Sequence, residues 1–172
     1  PSPTIATDRP AFCSSVTTAI LPSGRTSART SVIPTALATA SAAEADAVIV
    51  MVATPDQLSS AALGQDGLVA RMRPGSTLIV MSTVGPEAVR SLVAPAAERG
   101  IGLVDAPVTG GIAGVQAGTL RMLASGPPDV LDSRRPVLQA LGTIIDCGER
   151  LGDGGDGVRV AGGQRGQGAV GG

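Results

Sequence analysis

Three short segments of the sequence combine small, hydroxylated and glycine residues directly after an apolar run. They are residues 52–55, 82–85 and 105–111. In open α/β sheets, ligands bind outside the carboxyl ends of the strands. Side chains this small let backbone amides and hydroxyl groups approach a ligand closely. The three segments therefore predict a site for a flat or anionic ligand held by backbone groups, although each segment alone is also typical of an ordinary turn.

The residue types that the chain lacks exclude several kinds of catalysis. All 13 basic residues are arginine, and the sequence contains no His, Lys, Asn, Trp or Tyr. A chain without His cannot run a Ser-His-Asp or Cys-His mechanism, and a chain without Lys forms no Schiff base. Cys13 and Cys147 are too few for a disulfide scaffold or a thiolate metal site, so we expect two unpaired thiols in a reducing compartment.

Charge and composition also argue against two classes of partner. A net charge of −1 offers no electrostatic footprint for nucleic acid, and Phe12 alone cannot form a base-stacking platform. No apolar run approaches the ~20 residues of a membrane span, and the first residues lack the pattern of a secretory signal. We therefore predict no nucleic-acid partner, no membrane partner and a cytoplasmic location. Because the chain begins with Pro1, we expect the true start to lie upstream.

The middle of the chain must position the three segments. Residues 35–148 alternate apolar runs with amphipathic stretches, which predicts an α/β fold with a mostly parallel sheet and helices on both faces. Residues 1–34 and 149–172 lack a sustained period, so both flanks are predicted to be irregular, the second as a Gly-rich tail. The predicted strands are 47–52, 77–81, 101–104, 119–124 and 143–147. The predicted helices are 56–63 with Asp56 as N-cap, 68–72, 87–99 with a kink at Pro95, and one from Pro128 onward, while 110–118 is a long loop or short helix.

The middle of the chain also carries recognisable runs: ADAVIVMV, GSTLIVMSTVGPEAVRSL and ERGIGLVDAPVTGGIAGVQAGTLRMLASG. Together they resemble the β-hydroxyacid dehydrogenase family, which includes 3-hydroxyisobutyrate dehydrogenase and 6-phosphogluconate dehydrogenase. The DAPVTGG segment with the following AGTLRMLASG is the most specific part. The resemblance covers residues 35–155, the later part of the family's N-terminal Rossmann domain. It implies a partial Rossmann-like fold, NAD or NADP as cofactor, and hydride transfer with a small 3-hydroxy acid or semialdehyde acid.

The resemblance also implies which residues line the cofactor. Val52 and Ala53 stand where the family has a Leu-Pro pair, so only their backbone contact carries over. Gln57 falls at a polar position near the cofactor. Thr83 matches the threonine that contacts the nicotinamide end.

For the small carboxylate substrate, the resemblance points to Thr109, Gly110 and Gly111, which match the family's substrate loop. A hydroxyl beside close backbone amides neutralises a carboxylate without a titrating group. The alternative is that Gly110 and Gly111 serve only a loop with positive φ.

The chain departs from the family at its phosphate-binding and catalytic positions. The G-x-G-x-x-G turn has no match in residues 1–45, and the match at 152–157 is interpreted as a Gly-rich linker or as the G-x-G turn that opens the family's interdomain helix. The family's catalytic Lys and Asn would fall within 158–163, where Arg159 is nearest. Since a guanidinium stays protonated, it is a poor acid–base group. We therefore predict a truncated or frame-disrupted chain with no catalytic residue and negligible turnover alone.

Two functions stay open at this point. The chain is either an NAD(P)-dependent oxidoreductase or a non-catalytic Rossmann-like remnant that binds nucleotide weakly or packs against a partner. Loss of a first βαβ unit would expose a sheet edge and apolar helix faces, which favours association, homo-oligomers included. An imine-reductase-like relative fits less well because DAPVTGG suits a carboxylate-bearing substrate.

Overall fold

The computed structural model describes residues 17–22, 29–32 and 42–155. Phe12, Cys13 and Arg159 lie outside these residues. Within them the strands are β1 (Thr17–Pro22), β2 (Arg29–Val32), β3 (Ala45–Met51), β4 (Thr77–Val80), β5 (Gly102–Asp105), β6 (Val108–Thr109), β7 (Arg121–Ala124) and β8 (Thr143–Asp146). The helices are α1 (Pro55–Leu63), α2 (Leu68–Arg71), α3 (Pro86–Arg90), α4 (Val93–Glu98), α5 (Gly111–Ala117) and α6 (Pro128–Gln139), and a further helical turn covers residues 153–155.

The centre of the fold is a parallel unit of three strands, β3, β4 and β5. Val50 pairs with Val80 and Val80 with Asp105, so the three strands end at the same level. We call this level the carboxyl end of the sheet. Continuous apolar runs form these strands because both faces of the sheet are covered. The prediction of an α/β fold with parallel strands is confirmed.

Two strands lie in the N-terminal segment that we predicted to be irregular, and for residues 17–22 and 29–32 that prediction is wrong. The larger sheet has the order β2-β1-β3-β4-β5, in which β1 runs antiparallel to both neighbours. A Ser- and Thr-rich segment with no clear period is still paired here because the edge of β3 offers unpaired backbone groups. Pro22 therefore lies beside Ala45, and the chain leaves β1 at the end of the sheet opposite to its carboxyl end.

A second, three-stranded sheet of order β6-β7-β8 follows the first. β6 and β7 are antiparallel, β7 and β8 are parallel, and a bridge between Asp105 and Ser125 joins the two sheets. The sequence did not predict β6, since a strand of two residues has no visible period. The segment 110–118 contains a short helix, one of its two predicted alternatives.

Helices cover both faces of the larger sheet, as predicted. Successive residues of β3 point to opposite sides: Val48 and Val50 pack in the cluster that includes α1 to α4, whereas Ala47 and Ile49 pack in the cluster with α6 and β7. The core is therefore divided by the sheet into two layers, and their packing fixes the strand ends that carry the candidate site.

The helix predicted over 87–99 is two helices, interrupted at Ser91 and Leu92. Pro95 explains the interruption: it lacks the N–H that would pair with the carbonyl of Ser91, and its ring clashes with that carbonyl in a continuous helix. The break allows α4 to turn and bury Ala96 against the first core layer.

Candidate functional site

The carboxyl end of the sheet brings the beginnings of the three predicted segments together. Backbone hydrogen bonds continue past the strand ends, from Met81 N–H to the Val50 carbonyl (2.9 Å) and from Ala106 N–H to the Val80 carbonyl (2.8 Å). The segments after β3, β4 and β5 therefore leave the sheet side by side. This is the position at which open α/β sheets bind ligands.

Two adjacent hydroxyl residues after β4 have different environments. Ser82 is 3% exposed, and its Oγ accepts a hydrogen bond from the N–H of Val52 (2.7 Å). Thr83 is exposed to solvent. Ser82 thus ties the end of β3 to the end of β4, while the neighbouring Thr83 lies at the surface, where a ligand can reach it.

The backbone N–H groups of the loop after β3 are hydrogen-bonded to other atoms of the protein. Ala53 N–H donates to Gln57 Oε1 (2.9 Å), and Thr54 N–H points to the same oxygen (3.3 Å). Thr54 Oγ1 in turn accepts from Gln57 N–H (3.2 Å), which completes a capping box at the start of α1. Thr54, not the predicted Asp56, is therefore the N-cap. Since the N–H of Val52 is also paired, backbone contact with a cofactor by Val52 or Ala53 would use their carbonyl oxygens.

A cavity of about 350 Å³ opens between the loop after β3 and the loop after β4. Gly85 lies in its wall with φ of 91°, a conformation in which a side chain would be strained. Five of the residues that line this cavity, 84–88, follow Thr83 directly in the chain. Its lining residues are Pro55, Val84, Gly85, Pro86, Glu87 and Ala88.

The predicted substrate loop spans the end of β6 and the start of α5. Gly110 has φ of 116° and Gly111 has φ of 56°, so both glycines satisfy a left-handed backbone. Both are exposed, and Thr109 before them is half-buried. The backbone alone accounts for the two glycines, and the role of this loop in binding a carboxylate stays a prediction.

Arg121 is a candidate that the sequence analysis missed. It pairs with Thr109 across β6 and β7, and directly opposite residues on antiparallel strands carry their side chains on the same face, with Cβ atoms about 4.5–5.5 Å apart. Arg121 is exposed. Its guanidinium can therefore hold a carboxylate beside the Thr109 hydroxyl. No local signal could have found it, because the pairing depends on a strand of two residues.

The glycine-rich segment after β8 returns to the carboxyl end of the sheet. Gly155 N–H donates to Asp105 Oδ2 (3.3 Å), and a Cβ on Gly155 would lie 3.8 Å from the backbone nitrogen of Pro86. The backbone at Gly155 therefore lies between the loop after β4 and the end of β5. Of the two interpretations of residues 152–157, the described part, 152–155, agrees with a G-x-G turn that opens a helix.

Cys147 is half-buried near the same end of the sheet. Burial raises the pKa of its thiol, and the negative charges of Asp146, Asp105 and Asp153 raise that pKa further. A thiol with a raised pKa is a weaker nucleophile at neutral pH than a free cysteine. This environment does not activate Cys147 for catalysis.

Neither a metal site nor a membrane span is found in the described part of the chain. There, no cluster of three or more His, Cys, Asp or Glu side chains is placed to hold a metal ion. None of the helices in residues 42–155 has the length and apolar content to cross a bilayer.

Residues 15–149 match the family of the NAD-binding domain of 6-phosphogluconate dehydrogenase. The chain belongs to this family. It is 42% identical over 101 residues to a 3-hydroxyisobutyrate dehydrogenase of Pseudomonas aeruginosa, and 40% identical over 101 residues to an NAD-dependent L-serine dehydrogenase of the same organism. Each alignment covers 59% of this chain and 34% of the relative, so the chain matches about a third of these relatives' length.

Solved structures agree with this assignment. A Mycobacterium tuberculosis 3-hydroxyisobutyrate dehydrogenase, solved with L-serine, has a TM-score of 0.64 and 33% identity, with 73% of this chain and 42% of that chain covered. A 3-hydroxyisobutyrate dehydrogenase from Salmonella typhimurium has a TM-score of 0.64 and 26% identity, with 70% and 42% covered. The resemblance to the β-hydroxyacid dehydrogenases is confirmed.

The described residues of this family member fit one half of a dinucleotide site. The features available for the nicotinamide half are the exposed Thr83, the cavity lined by the residues that follow it, and the three strand ends at one level; the assignment of Thr83 to this half stays a prediction. The pyrophosphate half is usually bound where a glycine-rich turn joins the carboxyl end of the first strand to a helix N-terminus. Because β1 is antiparallel, its carboxyl end lies at the wrong end of the sheet for that task.

Proposed function

We propose that the chain is the NAD(P)-binding part of an oxidoreductase that acts on a small 3-hydroxy acid or its semialdehyde. The observation that carries this proposal is that the segments after β3, β4 and β5 leave the sheet side by side at its carboxyl end, where the exposed Thr83 directly precedes the cavity-lining residues 84–88 in the chain. The names of the two Pseudomonas aeruginosa relatives, a 3-hydroxyisobutyrate dehydrogenase and an L-serine dehydrogenase, support a substrate of this class.

Each site residue has a defined part in this proposal. Thr83 orients the nicotinamide end of NAD or NADP through its hydroxyl. Thr109, Gly110 and Gly111 receive the substrate carboxylate, and Arg121 neutralises its charge from the neighbouring strand. When bound, the nicotinamide supplies the hydride acceptor or donor, and the protein's contribution is orientation.

Proton transfer is the step that this chain does not supply. The resemblance to the family implies that a lysine exchanges the alcohol proton, and the chain has no Lys at that position or at any other. An arginine is not a substitute because it stays protonated. We therefore expect negligible turnover from the isolated chain, with either cofactor and a semialdehyde acid. Robust turnover by purified material would overturn this part of the proposal.

Calorimetric titration with NADH and NADPH tests the binding part. We expect measurable affinity that Thr83→Val weakens, since the valine keeps the shape of threonine and removes its hydroxyl. Ser133→Ala is the matched control: Ser133 is an exposed hydroxyl on α6, bonded to the Val130 carbonyl and remote from the three loops in the sequence. Equal affinities for the parent chain and Thr83→Val would contradict the role of Thr83.

One observation favours the alternative, a non-catalytic Rossmann-like binding module. The antiparallel β1 leaves the carboxyl end of the sheet without the usual pyrophosphate turn among the described residues. No dinucleotide binding in the titration, together with a particle size that grows with protein concentration, would favour this module over the oxidoreductase. Homo-oligomer formation and a cytoplasmic location stay predictions under both proposals.

A further inference from the structure

The segment 151–155, here called the return segment, is held on one side by α3. Arg90 Nε donates to the carbonyl of Leu151 (3.0 Å), and the Arg90 guanidinium lies 3.7 Å from the carboxylate of Asp153. A Cβ on Gly152 would lie 2.7 Å from Cβ of Pro86, so the backbone of the return segment touches the first turn of α3. The Arg90–Asp153 ion pair lies at the protein surface, where ion pairs contribute little.

On its other side the return segment meets two buried polar side chains. Asp105 is 1% exposed and Ser125 is fully buried, and the two residues form the bridge between the sheets with backbone hydrogen bonds of 2.9 and 2.7 Å. Ser125 Oγ accepts from Gly154 N–H (3.2 Å), and Asp105 Oδ2 accepts from Gly155 N–H (3.3 Å). Both acceptors therefore serve successive N–H groups of the helical turn 153–155.

The approach is close enough to require glycine. A Cβ on Gly154 would lie 2.1 Å from the Leu123 carbonyl oxygen and 3.1 Å from Cδ of Pro107. Without that close approach neither hydrogen bond could form. A carboxylate is costly to bury unless hydrogen bonds compensate it, and the N–H of Gly155 supplies one such bond to Asp105.

We propose that Asp105 and Ser125 are positioning residues, an anchor that holds the return segment between the loop after β4 and the end of β5. The anchor fixes the separation of the two loops that form the candidate site. It acts by accepting hydrogen bonds, not by filling space. This role needs no bound dinucleotide, so it can hold or fail independently of the proposed function.

Trypsin cleavage of the Arg150–Leu151 bond tests the anchor. The Arg150 side chain is 80% exposed, but a protease must draw several following residues into its cleft, which requires release of the return segment. We expect Asp105→Leu to speed this cleavage by about tenfold or more, because a buried acceptor is lost while the branching of the side chain at Cγ is kept. Asp105→Asn retains an acceptor oxygen and should restore cleavage to within about threefold of the parent chain.

Mass spectrometry of the fragments separates release of the segment from general unfolding. Cleavage after Arg121, on β7, reports unfolding of the second sheet and should stay at its parent rate. Equal rates for the Leu and Asn variants, or equal acceleration at Arg121 and Arg150, would overturn the proposal.

Two further measurements keep the test valid should Asp105→Leu fail to fold. Ser125→Ala removes only a hydroxyl and should also speed cleavage at Arg150. In the parent chain, the amide protons of Gly154 and Gly155 should exchange at least about tenfold more slowly than that of Glu149, which is exposed on the preceding turn. Exchange of all three amides at one rate would contradict the anchor.

Discussion

Replacement of Ser82 by alanine tests whether a single buried hydroxyl holds the strand ends of the site together. Ser82 Oγ accepts from Val52 N–H at 2.7 Å, and the serine is 3% exposed. The change removes this bond and leaves the Val52 N–H without its acceptor in a partly buried place. A hydrogen bond contributes about 0.5–1.5 kcal/mol and a stranded buried donor costs about 1–3 kcal/mol, so we expect the free energy of unfolding to fall by about 1–3 kcal/mol.

Urea unfolding followed by circular dichroism measures this loss. For a slope of about 2 kcal/mol per molar urea, the midpoint should fall by roughly 0.5–1.5 M, while the slope stays unchanged. Thr83→Val is the matched variant at the neighbouring position. Since Thr83 is exposed and valine has the same shape, its unfolding free energy should stay within about 0.5 kcal/mol of the parent value.

Ser82→Ala should lose more stability than Thr83→Val, whereas Thr83→Val should lose more dinucleotide affinity than Ser82→Ala. Loss of one hydrogen bond from Thr83 to the nicotinamide should weaken dinucleotide affinity by about 3–10-fold. Equal urea midpoints for Ser82→Ala and the parent chain, or a larger loss of stability in Thr83→Val, would refute the assignment of the structural hydrogen bond to Ser82 and of the ligand contact to Thr83.

Three further predictions follow from the geometry. Gly154→Ala should lower the urea midpoint clearly, because its Cβ would lie 2.1 Å from a backbone oxygen. Gly155→Ala should leave the midpoint nearly unchanged, because its Cβ would make no contact closer than 3.8 Å. Similar midpoints for the two variants would contradict the packing of this turn. Gln57→Ala should cost about 0.5–2 kcal/mol of unfolding free energy through loss of the capping box, and Gln57→Glu, which can still accept, should cost less. In a Cys13→Ser background, alkylation of Cys147 should reach half its maximal rate at a higher pH than alkylation of a cysteine in an unstructured peptide, because burial and neighbouring carboxylates raise the thiol pKa. A midpoint at or below that of the peptide would contradict the burial of Cys147 beside these carboxylates. The raised pKa of Cys147 also makes the free energy of unfolding depend on pH. Because the fold favours the neutral thiol, this stabilising contribution is fully present below the ordinary thiol pKa and is lost as the pH rises through the raised pKa.

Some of the candidate site could be predicted because its signals are local. The apolar runs that form β3, β4 and β5, and the small residues that follow each of them, are contiguous in the chain. The capping box is local too, since Thr54 and Gln57 stand three residues apart, but the sequence analysis assigned Gln57 to the cofactor and the cap to Asp56. The assignment of the cap to Asp56 is wrong, although the pattern that identifies Thr54 is present in the sequence; the cofactor contact of Gln57 stays a prediction.

Other parts of the site depend on which strands meet. Arg121 lies beside Thr109 only because β6 pairs with β7, and Asp105 meets Gly155 across fifty residues of chain. Neither pairing leaves a periodic pattern near the residues involved. The direction of β1 is of the same kind, since a short Ser- and Thr-rich strand fits an antiparallel or a parallel neighbour equally well by composition.

The amino-acid sequence by itself determined the fold class, the strands of the parallel unit, the breaks at Pro and Gly, and the absence of a lysine or histidine for proton transfer. These follow from residue type and from patterns within a few residues, which act before any distant contact forms. Only the tertiary structure decided the direction of β1, the second sheet, and the burial of Asp105 and Ser125 against the return segment. Those features depend on hydrogen bonds between residues that are far apart in the chain. The energy of such bonds depends on which segments meet in the fold, and no pattern within a few residues indicates it.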